Sequence, residues 1–294
     1  MPGSLVIAGL GIQVPRQVTW EARAEIERAE RLLYLVADPV AEAWLQRSNP
    51  AAESLADCYL EGRSRAIAYE RMVERMLAPV RTGARVCAAF YGHPGVFVSP
   101  THEAIRIARA EHFEARMLPG ISAEDCLFAD LGVDPARSGC QSYEATDFLV
   151  NERTVDPRSA LILWQAGLVG RVEYRHDGFG ENRLGLSVLQ EALLARYSPD
   201  HEVVIYEASP YSVIEPSIRR TCLRDLLASE LEATSTLLLP PLPSRANEPM
   251  LRRLGIDVAS LQGASAGEGD SRSASSGPPR SGGGSRPAGE RALI

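Results

Sequence analysis

The chain of 294 residues is 45% hydrophobic and carries a formal net charge of −7 at pH 7, and all 31 of its basic residues are arginine. A chain of this size can bury enough apolar surface for two lobes. The acidic balance disfavours nucleic acid as a partner, because phosphate recognition requires a basic surface. The first apolar run, SLVIAGL, is too short for a membrane span and lacks the basic flank of a signal peptide, so it predicts a strand and no membrane partner.

The cysteines are five in number, lie far apart and form no CxxC pair (Cys58, Cys87, Cys126, Cys140 and Cys222). Disulfide frameworks and structural zinc sites need paired or closely spaced cysteines. We therefore expect a reduced, cytoplasmic protein without a metal site.

The first hundred residues predict alternating strands and helices. Ser4 to Ala8 reads as a strand that ends in Gly9-Leu10-Gly11, but the third glycine of a dinucleotide-binding fingerprint is missing. Thr19 is placed to cap a helix whose apolar residues continue at helical spacing as far as Leu33. Tyr34 to Ala37 reads as the next strand. Residues 39–67 look irregular, and Ile67 to Leu77 predicts a helix that stops at Pro79.

Two similar units follow between Val86 and Leu131. The strand Val86 to Phe90 leads into the turn YGHPGVF, after which Ser99 is expected to cap a helix that begins with Pro100. The strand Ala115 to Leu118 leads into PGISAED, where Ser122 and Asp125 have capping-box spacing. A strand, a glycine-bearing turn and a capped helix, repeated, predict a ligand site at the strand ends of an open α/β sheet.

The second half of the chain also alternates strands with helices. The predicted strands are Ala160 to Trp164, Val203 to Tyr206 and Thr234 to Leu239, and the predicted helices are Leu186 to Tyr197 and Ile218 to Leu231. We therefore expect α/β lobes over 1–120 and 121–245, with a helical arm over 246–262. Residues 263–294 are Gly, Ser, Pro, Arg and Glu with few apolar side chains, which predicts disorder.

The two turns carry a family resemblance. YGHPGVF, followed by MLPGISAEDCLFADL, resembles the S-adenosylmethionine-binding core of the tetrapyrrole methylase superfamily, and roughly residues 4–245 resemble the borosin-type peptide backbone α-N-methyltransferases. The resemblance implies two α/β lobes with the cofactor in the cleft between them, a precursor-peptide substrate and a homodimer. It assigns cofactor binding to residues on five segments: Tyr91, His93, Val96, Phe97, Ser122, Ala123, Gln165, Tyr206, Glu207, Ser235 and Thr236.

Methylation of a backbone amide needs special activation, because the nitrogen lone pair is delocalised into the carbonyl. A base near the N–H and positive charge on the carbonyl oxygen would supply it. YLEGRSRAIAY contains Tyr59, Arg65 and Tyr69, and on a helix Arg65 and Tyr69 share one face. This spacing resembles the borosin catalytic set, with Arg65 and one phenol activating the amide and the other phenol holding the carbonyl. Which tyrosine does which stays open, as does a plain solvated helix, and Ala56 stands where such enzymes can carry a further aromatic.

The sequence also bears on where the substrate lies and on alternative activities. The segment 263–294 lacks the apolar, β-branched run that fused family members carry as their substrate, so we expect a precursor peptide on a separate chain. One alternative function is a tetrapyrrole C-methyltransferase, but such an enzyme would need a more glycine- and proline-rich first turn than GLGI. Another is a non-catalytic peptide-binding relative, and the Tyr59, Arg65 and Tyr69 set tells against it because such a protein would not need these residues. The pair Glu124-Asp125 fits a role at the helix N-terminus better than general-base catalysis.

Overall fold

The computed structural model describes residues 2–171, 173, 182–244 and 246–257. These residues contain two five-stranded sheets. The strands are β1 Ser4–Gly9, β2 Arg31–Leu35, β3 Ala52–Ser54, β4 Arg85–Phe90, β5 Glu114–Leu118, β6 Cys140–Glu144, β7 Ala160–Trp164, β8 Glu202–Glu207, β9 Ser217–Cys222 and β10 Thr236–Leu239. The α-helices are α1 Trp20–Arg28, α2 Pro39–Ser48, α3 Arg65–Arg81, α4 Ser99–Ala110, α5 Ala123–Leu131, α6 Pro135–Ser138, α7 Ala145–Val150, α8 Arg183–Leu194 and α9 Glu248–Leu254.

The first sheet is parallel throughout, in the order β3-β2-β4-β1-β5. One apolar cluster joins its strands to α3 and α4, and a second joins them to α1 and α2. Because all five strands run the same way, their carboxyl ends meet at one edge, as the repeated strand and turn units predict. The turns that follow Gly9, Phe90 and Leu118 therefore lie side by side.

The second sheet is mixed, in the order β6-β7-β10-β8-β9. β6 and β7 are parallel, whereas the other pairs are antiparallel. Helix α5 packs with Leu127 against one face, and α7 and α8 cover the other. Since β10 runs against β7 and β8, its first residues lie at the same edge as the last residues of those strands, with Thr236 opposite Tyr206. This places three predicted cofactor segments, at Gln165, at Tyr206 and Glu207, and at Ser235 and Thr236, at one edge of the second sheet.

Two stretches differ from the sequence expectation. Residues 39–67, predicted to be irregular, contain α2, β3 and a 3-10 helix at Ala56–Cys58. Helix α2 is capped by the Asp38 carboxylate, which accepts the amides of Val40 and Ala41. The predicted helix from Ile218 to Leu231 is wrong, since this stretch forms edge strand β9 and a 3-10 helix over Leu223–Ala228. Arg219 and Arg220 pair across the strands with Glu207 and Glu202, which favours the extended form.

Several helix ends also differ. Val98, not Ser99, is the N-cap of α4, and its carbonyl accepts the Thr101 hydroxyl at 2.7 Å. Helix α1 ends at Arg28, so that Leu33 lies in β2, and α8 starts and ends three residues before the predicted Leu186 to Tyr197. Helix α3 begins after Ser64, which accepts the Ala66 amide, and continues two residues past Pro79. The caps at Thr19 and Ser122 are confirmed.

The chain divides into one compact unit over Met1–Pro243 and a second from Ser244 onwards. In the second unit, Asn247 caps the short helix α9 by accepting the Met250 amide. This helix lies in the predicted arm, whereas the end of the arm from residue 258 and the predicted disordered tail lie outside the described residues. The predicted lobe boundary near residue 120 stays a prediction. Across the described ranges, no helix is long and apolar enough to cross a membrane.

Candidate active site

A cavity of about 680 Å³ opens between the two sheets. This volume is in the range of ligand pockets, roughly 300–1,000 Å³. Its walls come from both halves of the compact unit and include Arg65, Tyr69, Phe97, His102, Glu144, Thr146, Asp147, Gln165 and Arg171. The cavity is therefore a cleft between two α/β layers, at the edge where the first sheet presents its strand ends.

Helix α3 brings Arg65 and Tyr69 to this cavity. They lie one turn apart, share a helix face as predicted, and both line the cavity. The Arg65 Nη2 atom donates to the carbonyl of Arg171 at 2.9 Å, and next to it Ser64 forms an antiparallel β-bridge with Glu173. Arg65 thus reaches across the cleft to a loop of the second half.

Tyr59 has a different position. It follows the 3-10 helix Ala56–Cys58, is half-buried, and packs against the apolar core of the first sheet. It is not among the described residues that line the cavity. The structure therefore brings two of the three predicted catalytic side chains together in the cavity.

The turn after β4 is held by backbone contacts. Gly92, with φ at +66°, donates its amide to the Gly11 carbonyl at 2.8 Å and accepts the Gly11 amide at 3.2 Å. The His93 Nδ1 atom accepts the amide of Gly95 at 2.9 Å, and the His93 carbonyl accepts the amide of Val96 at 3.1 Å. The His93 side chain therefore fixes the turn that carries Val96 and Phe97.

Tyr91, at the start of this turn, is 54% exposed. The pKa of its phenol is nevertheless raised, first by loss of solvation and then by the neighbouring Tyr69 phenol. Tyr91 directly follows β4 and is not among the described residues that line the cavity.

Two residues with a strained backbone line the cavity. Phe97 and Gln165 have φ of +55° and +56°, although neither is glycine, and both line the cavity. Such conformations cost about 1–3 kcal/mol and cluster at functional sites. Phe97 is 49% exposed, and its ring centroid lies 5.8 Å from that of Trp164, the last residue of β7. An apolar wall at this position fits the predicted role of Phe97.

The turn after β5 differs in detail from the expectation. The buried Ser122 hydroxyl donates to the Asp125 carboxylate at 2.7 Å and accepts the Asp125 amide at 3.2 Å. Its hydroxyl is therefore engaged in the capping box, and what this turn offers to an anion is the first-turn N–H groups of α5, which begins with Ala123. The capping role of Asp125 confirms the helix N-terminal interpretation of the acidic pair.

The remaining cofactor candidates lie at the edge of the second sheet. The Tyr206 phenol is 1% exposed and donates to Asp130 at 2.7 Å, and burial followed by this bond raises its pKa. The Ser235 hydroxyl is buried and donates to Glu207 at 2.5 Å. Thr236 is buried opposite Tyr206. A ligand at this edge would therefore meet backbone atoms of Tyr206 and not its phenol.

Sequence reasoning missed the wall that the second half contributes. Glu144, Thr146 and Asp147 lie at the start of α7, and Arg171 lies in the loop after β7. No spacing signal connects these positions with Arg65, which is 106 residues away from Arg171. Among the described residues, no three His, Cys, Asp or Glu side chains are placed to hold a metal ion, and the five cysteines are free.

The chain is similar to proteins of known family. It matches the family described as Tetrapyrrole (Corrin/Porphyrin) Methylases over residues 4–210. It is 43% identical over 244 residues to a methyltransferase/ribosomally synthesized cyclic peptide dendrothelin A precursor of Dendrothele bispora, covering 82% of this chain and 58% of that protein. It is 42% identical over 257 residues to a methyltransferase/ribosomally synthesized cyclic peptide omphalotin A precursor of Omphalotus olearius, covering 86% and 61%. The chain thus spans somewhat more than half the length of these relatives.

Solved structures share the fold at low sequence identity. A uroporphyrin-III-C-methyltransferase from Thermus thermophilus superposes with a TM-score of 0.58 at 19% identity, covering 83% of this chain and 99% of that one. The Thermus thermophilus uroporphyrin-III C-methyltransferase complexed with S-adenyl homocysteine gives 0.54 at 17%, covering 81% and 92%. These matches confirm the predicted architecture of two α/β layers.

Proposed function

Because the chain belongs to the tetrapyrrole (corrin/porphyrin) methylase family, we propose that it is an S-adenosylmethionine-dependent α-N-methyltransferase that methylates backbone amides of a ribosomally synthesised precursor peptide. The observation that carries the proposal is that Arg65 and Tyr69 lie on one face of α3 and line the cavity between the sheets. The relatives named above, at 42–43% identity, support a peptide substrate.

The strand-end turns fit the cofactor. A Cβ on Gly120 would lie 2.4 Å from the Gly92 carbonyl oxygen, so the turns after β4 and β5 are packed backbone against backbone. The cofactor would be held by this pair of turns, by the Phe97 wall and by the Gln165 loop. When bound, S-adenosylmethionine supplies an electrophilic methyl group on a sulfonium. The protein's task is to hold the target amide beside it and to exclude water.

Arg65 and the phenols would activate the amide. A guanidinium stays protonated and offers five N–H donors in a rigid plane, so it can stabilise negative charge on the amide oxygen while one donor keeps its bond to Arg171. One phenol, ionised to a phenolate next to this charge, would take the amide proton and become a neutral phenol, and the other would donate a hydrogen bond to the carbonyl. Tyr69 lines the cavity, and Tyr59 lies between the 3-10 helix Ala56–Cys58 and α3. Which of the two phenols is the base stays open.

The manner of substrate presentation is part of the proposal. Residues 263–294 contain no apolar, β-branched run, so the substrate peptide is not part of residues 1–294, whereas the relatives named above are described as methyltransferase and peptide precursor in one protein. We further propose a homodimer, on the family resemblance, and a reducing cytoplasmic location, on the five free cysteines. Light scattering of the purified protein tests the first, and a monomer at all concentrations would contradict it.

The decisive experiment uses intact and fragment mass spectrometry. The protein is incubated with S-adenosylmethionine and candidate peptides rich in apolar, β-branched residues. We expect mass increments of one methyl that fragment to backbone nitrogen, and we expect Arg65→Ala to form them at a rate lower by ~10²- to 10³-fold. Arg63→Ala is the matched control, because Arg63 is exposed, two residues away, and outside the described cavity lining.

Two outcomes would contradict the proposal. Methyl groups on side chains would exclude amide chemistry. Methylation of a tetrapyrrole but of no peptide would assign the chain to the C-methylating members of the family.

A further inference from the structure

The Arg65 guanidinium is held by one loop of the second half, Gln165–Arg171. This loop begins at the strained Gln165 and ends at the Arg171 carbonyl that accepts the Arg65 bond. It therefore connects a predicted cofactor residue with the predicted catalytic arginine. What fixes this loop also fixes the acceptor of this Arg65 hydrogen bond.

Thr146 ties the loop to helix α7. Its hydroxyl accepts the amide of Gly170 at 3.0 Å and donates to the Glu144 carboxylate at 3.0 Å. Glu144 in turn caps α7 by accepting the Asp147 amide at 2.7 Å. The hydroxyl thus acts as donor and acceptor at once, which orients both bonds.

The other side of the loop is tied by Asn182. Its Nδ2 atom donates to the carbonyls of Val169 at 2.7 Å and Gly167 at 3.3 Å. Within the loop, the Arg171 amide donates to the Leu168 carbonyl at 2.9 Å. With both sides anchored, the Arg171 carbonyl has a defined position opposite α3.

We infer that Thr146 is a positioning residue for catalysis, which aims the Arg65 guanidinium through the chain Glu144, Thr146, Gly170, Arg171 carbonyl and Arg65. The inference rests on the proposed function, since it gives Arg65 the role of amide activator. Thr146 itself need not touch the reacting atoms. Its loss would free the Gly170 amide and let the Arg171 carbonyl move, so that the guanidinium no longer meets the amide oxygen at its fixed angle.

The test compares Thr146→Val with Thr146→Ser. Valine keeps the shape but removes the hydroxyl, and serine keeps the hydroxyl. A misplacement of about 1 Å can lower a rate by roughly 10²-fold. We expect Thr146→Val to lower kcat by ~10- to 10²-fold with the KM values for peptide and cofactor nearly unchanged, and Thr146→Ser to restore most of the rate. Thr154→Val, at an exposed position after α7, is the matched control.

Hydrogen exchange of the Gly170 amide gives a readout that does not depend on activity. It should become faster in Thr146→Val and stay slow in Thr146→Ser. If the amide is released and kcat stays at the wild-type value, the positioning role is refuted while the proposed function stands. If the wild-type protein methylates no peptide, the proposed function fails whatever the exchange shows. Should Thr146→Val unfold, Thr146→Ala takes its place. Faster Gly170 exchange with a lowered kcat in Thr146→Ala, and neither change in Thr146→Ser, would support the positioning role, whereas faster exchange with an unchanged kcat would refute it.

Discussion

The close contact of the cofactor turns can be tested with one added methyl group. Gly120 has no Cβ, and an ideal Cβ there would lie 2.4 Å from the Gly92 carbonyl oxygen and 2.8 Å from the Gly9 carbonyl carbon. Ordinary contacts are about 3.5–4.0 Å, so the turns after β1, β4 and β5 would have to separate by about 1 Å. All the blocking atoms are backbone, and no side chain can move aside instead.

For Gly120→Ala we expect two effects. Overpacking of this kind costs about 1–3 kcal/mol, which for a chain of this size lowers Tm by roughly 2–12 °C. A shift of about 1 Å in the turns also weakens cofactor binding, because the ligand site is built from their backbone. Calorimetric titration with S-adenosylmethionine and thermal unfolding monitored by circular dichroism measure both.

Gly132→Ala separates the two effects. Gly132 ends α5 with φ at +65°, and an added Cβ would meet nothing within 4 Å. A left-handed alanine costs about 1–2 kcal/mol, so stability should fall to a similar extent while cofactor affinity stays at the wild-type value. If Gly120→Ala also binds the cofactor with unchanged affinity, the assignment of the strand-end turns as its site is wrong.

Three further predictions follow from side-chain contacts. Ser122→Ala removes the capping box of α5 and should lower the free energy of unfolding by ~1 kcal/mol in urea titration, whereas an unchanged midpoint would contradict the cap. Phe97→Ala removes the exposed wall beside Trp164 and should weaken cofactor binding in calorimetric titration with little change in Tm, and unchanged affinity would exclude Phe97 from the site. Burial opposes ionisation of Asp38, but the Tyr211 hydroxyl and backbone amides outweigh it and lower its pKa below the ordinary 3.8. Stability from this bond is complete above that value and lost as the pH falls through the folded pKa, so the difference in Tm between wild type and Tyr211→Phe should shrink below about pH 4.

The elements that the sequence predicts well have strong local signals. β7 is a run of five apolar residues, and its predicted bounds, Ala160 to Trp164, are confirmed. The capping box at Ser122 needs only residues three apart, and the shared face of Arg65 and Tyr69 needs only helical spacing. Such features depend on the neighbouring residues, so they can be read without the rest of the fold.

The errors have long-range causes. β9 contains residues with helical spacing, but pairing with β8 and the cross-strand pairs of Arg219 and Arg220 decide its conformation. The Thr146 contact to Gly170 spans 24 residues and the Arg65 contact to Arg171 spans 106, so no motif contains either pair. The catalytic and cofactor roles of individual residues stay predictions, which the substitutions at Arg65, Phe97 and Gly120 test.

The measurement that tests the central claim most directly is the single-turnover rate of peptide methylation by Arg65→Ala, with cofactor and peptide both saturating. Removal of one donor that stabilises developing negative charge typically lowers kcat by ~10²- to 10³-fold. We predict a loss of that size, with cofactor affinity close to the wild-type value and Arg63→Ala fully active. A wild-type rate in Arg65→Ala would contradict activation of the amide by this guanidinium.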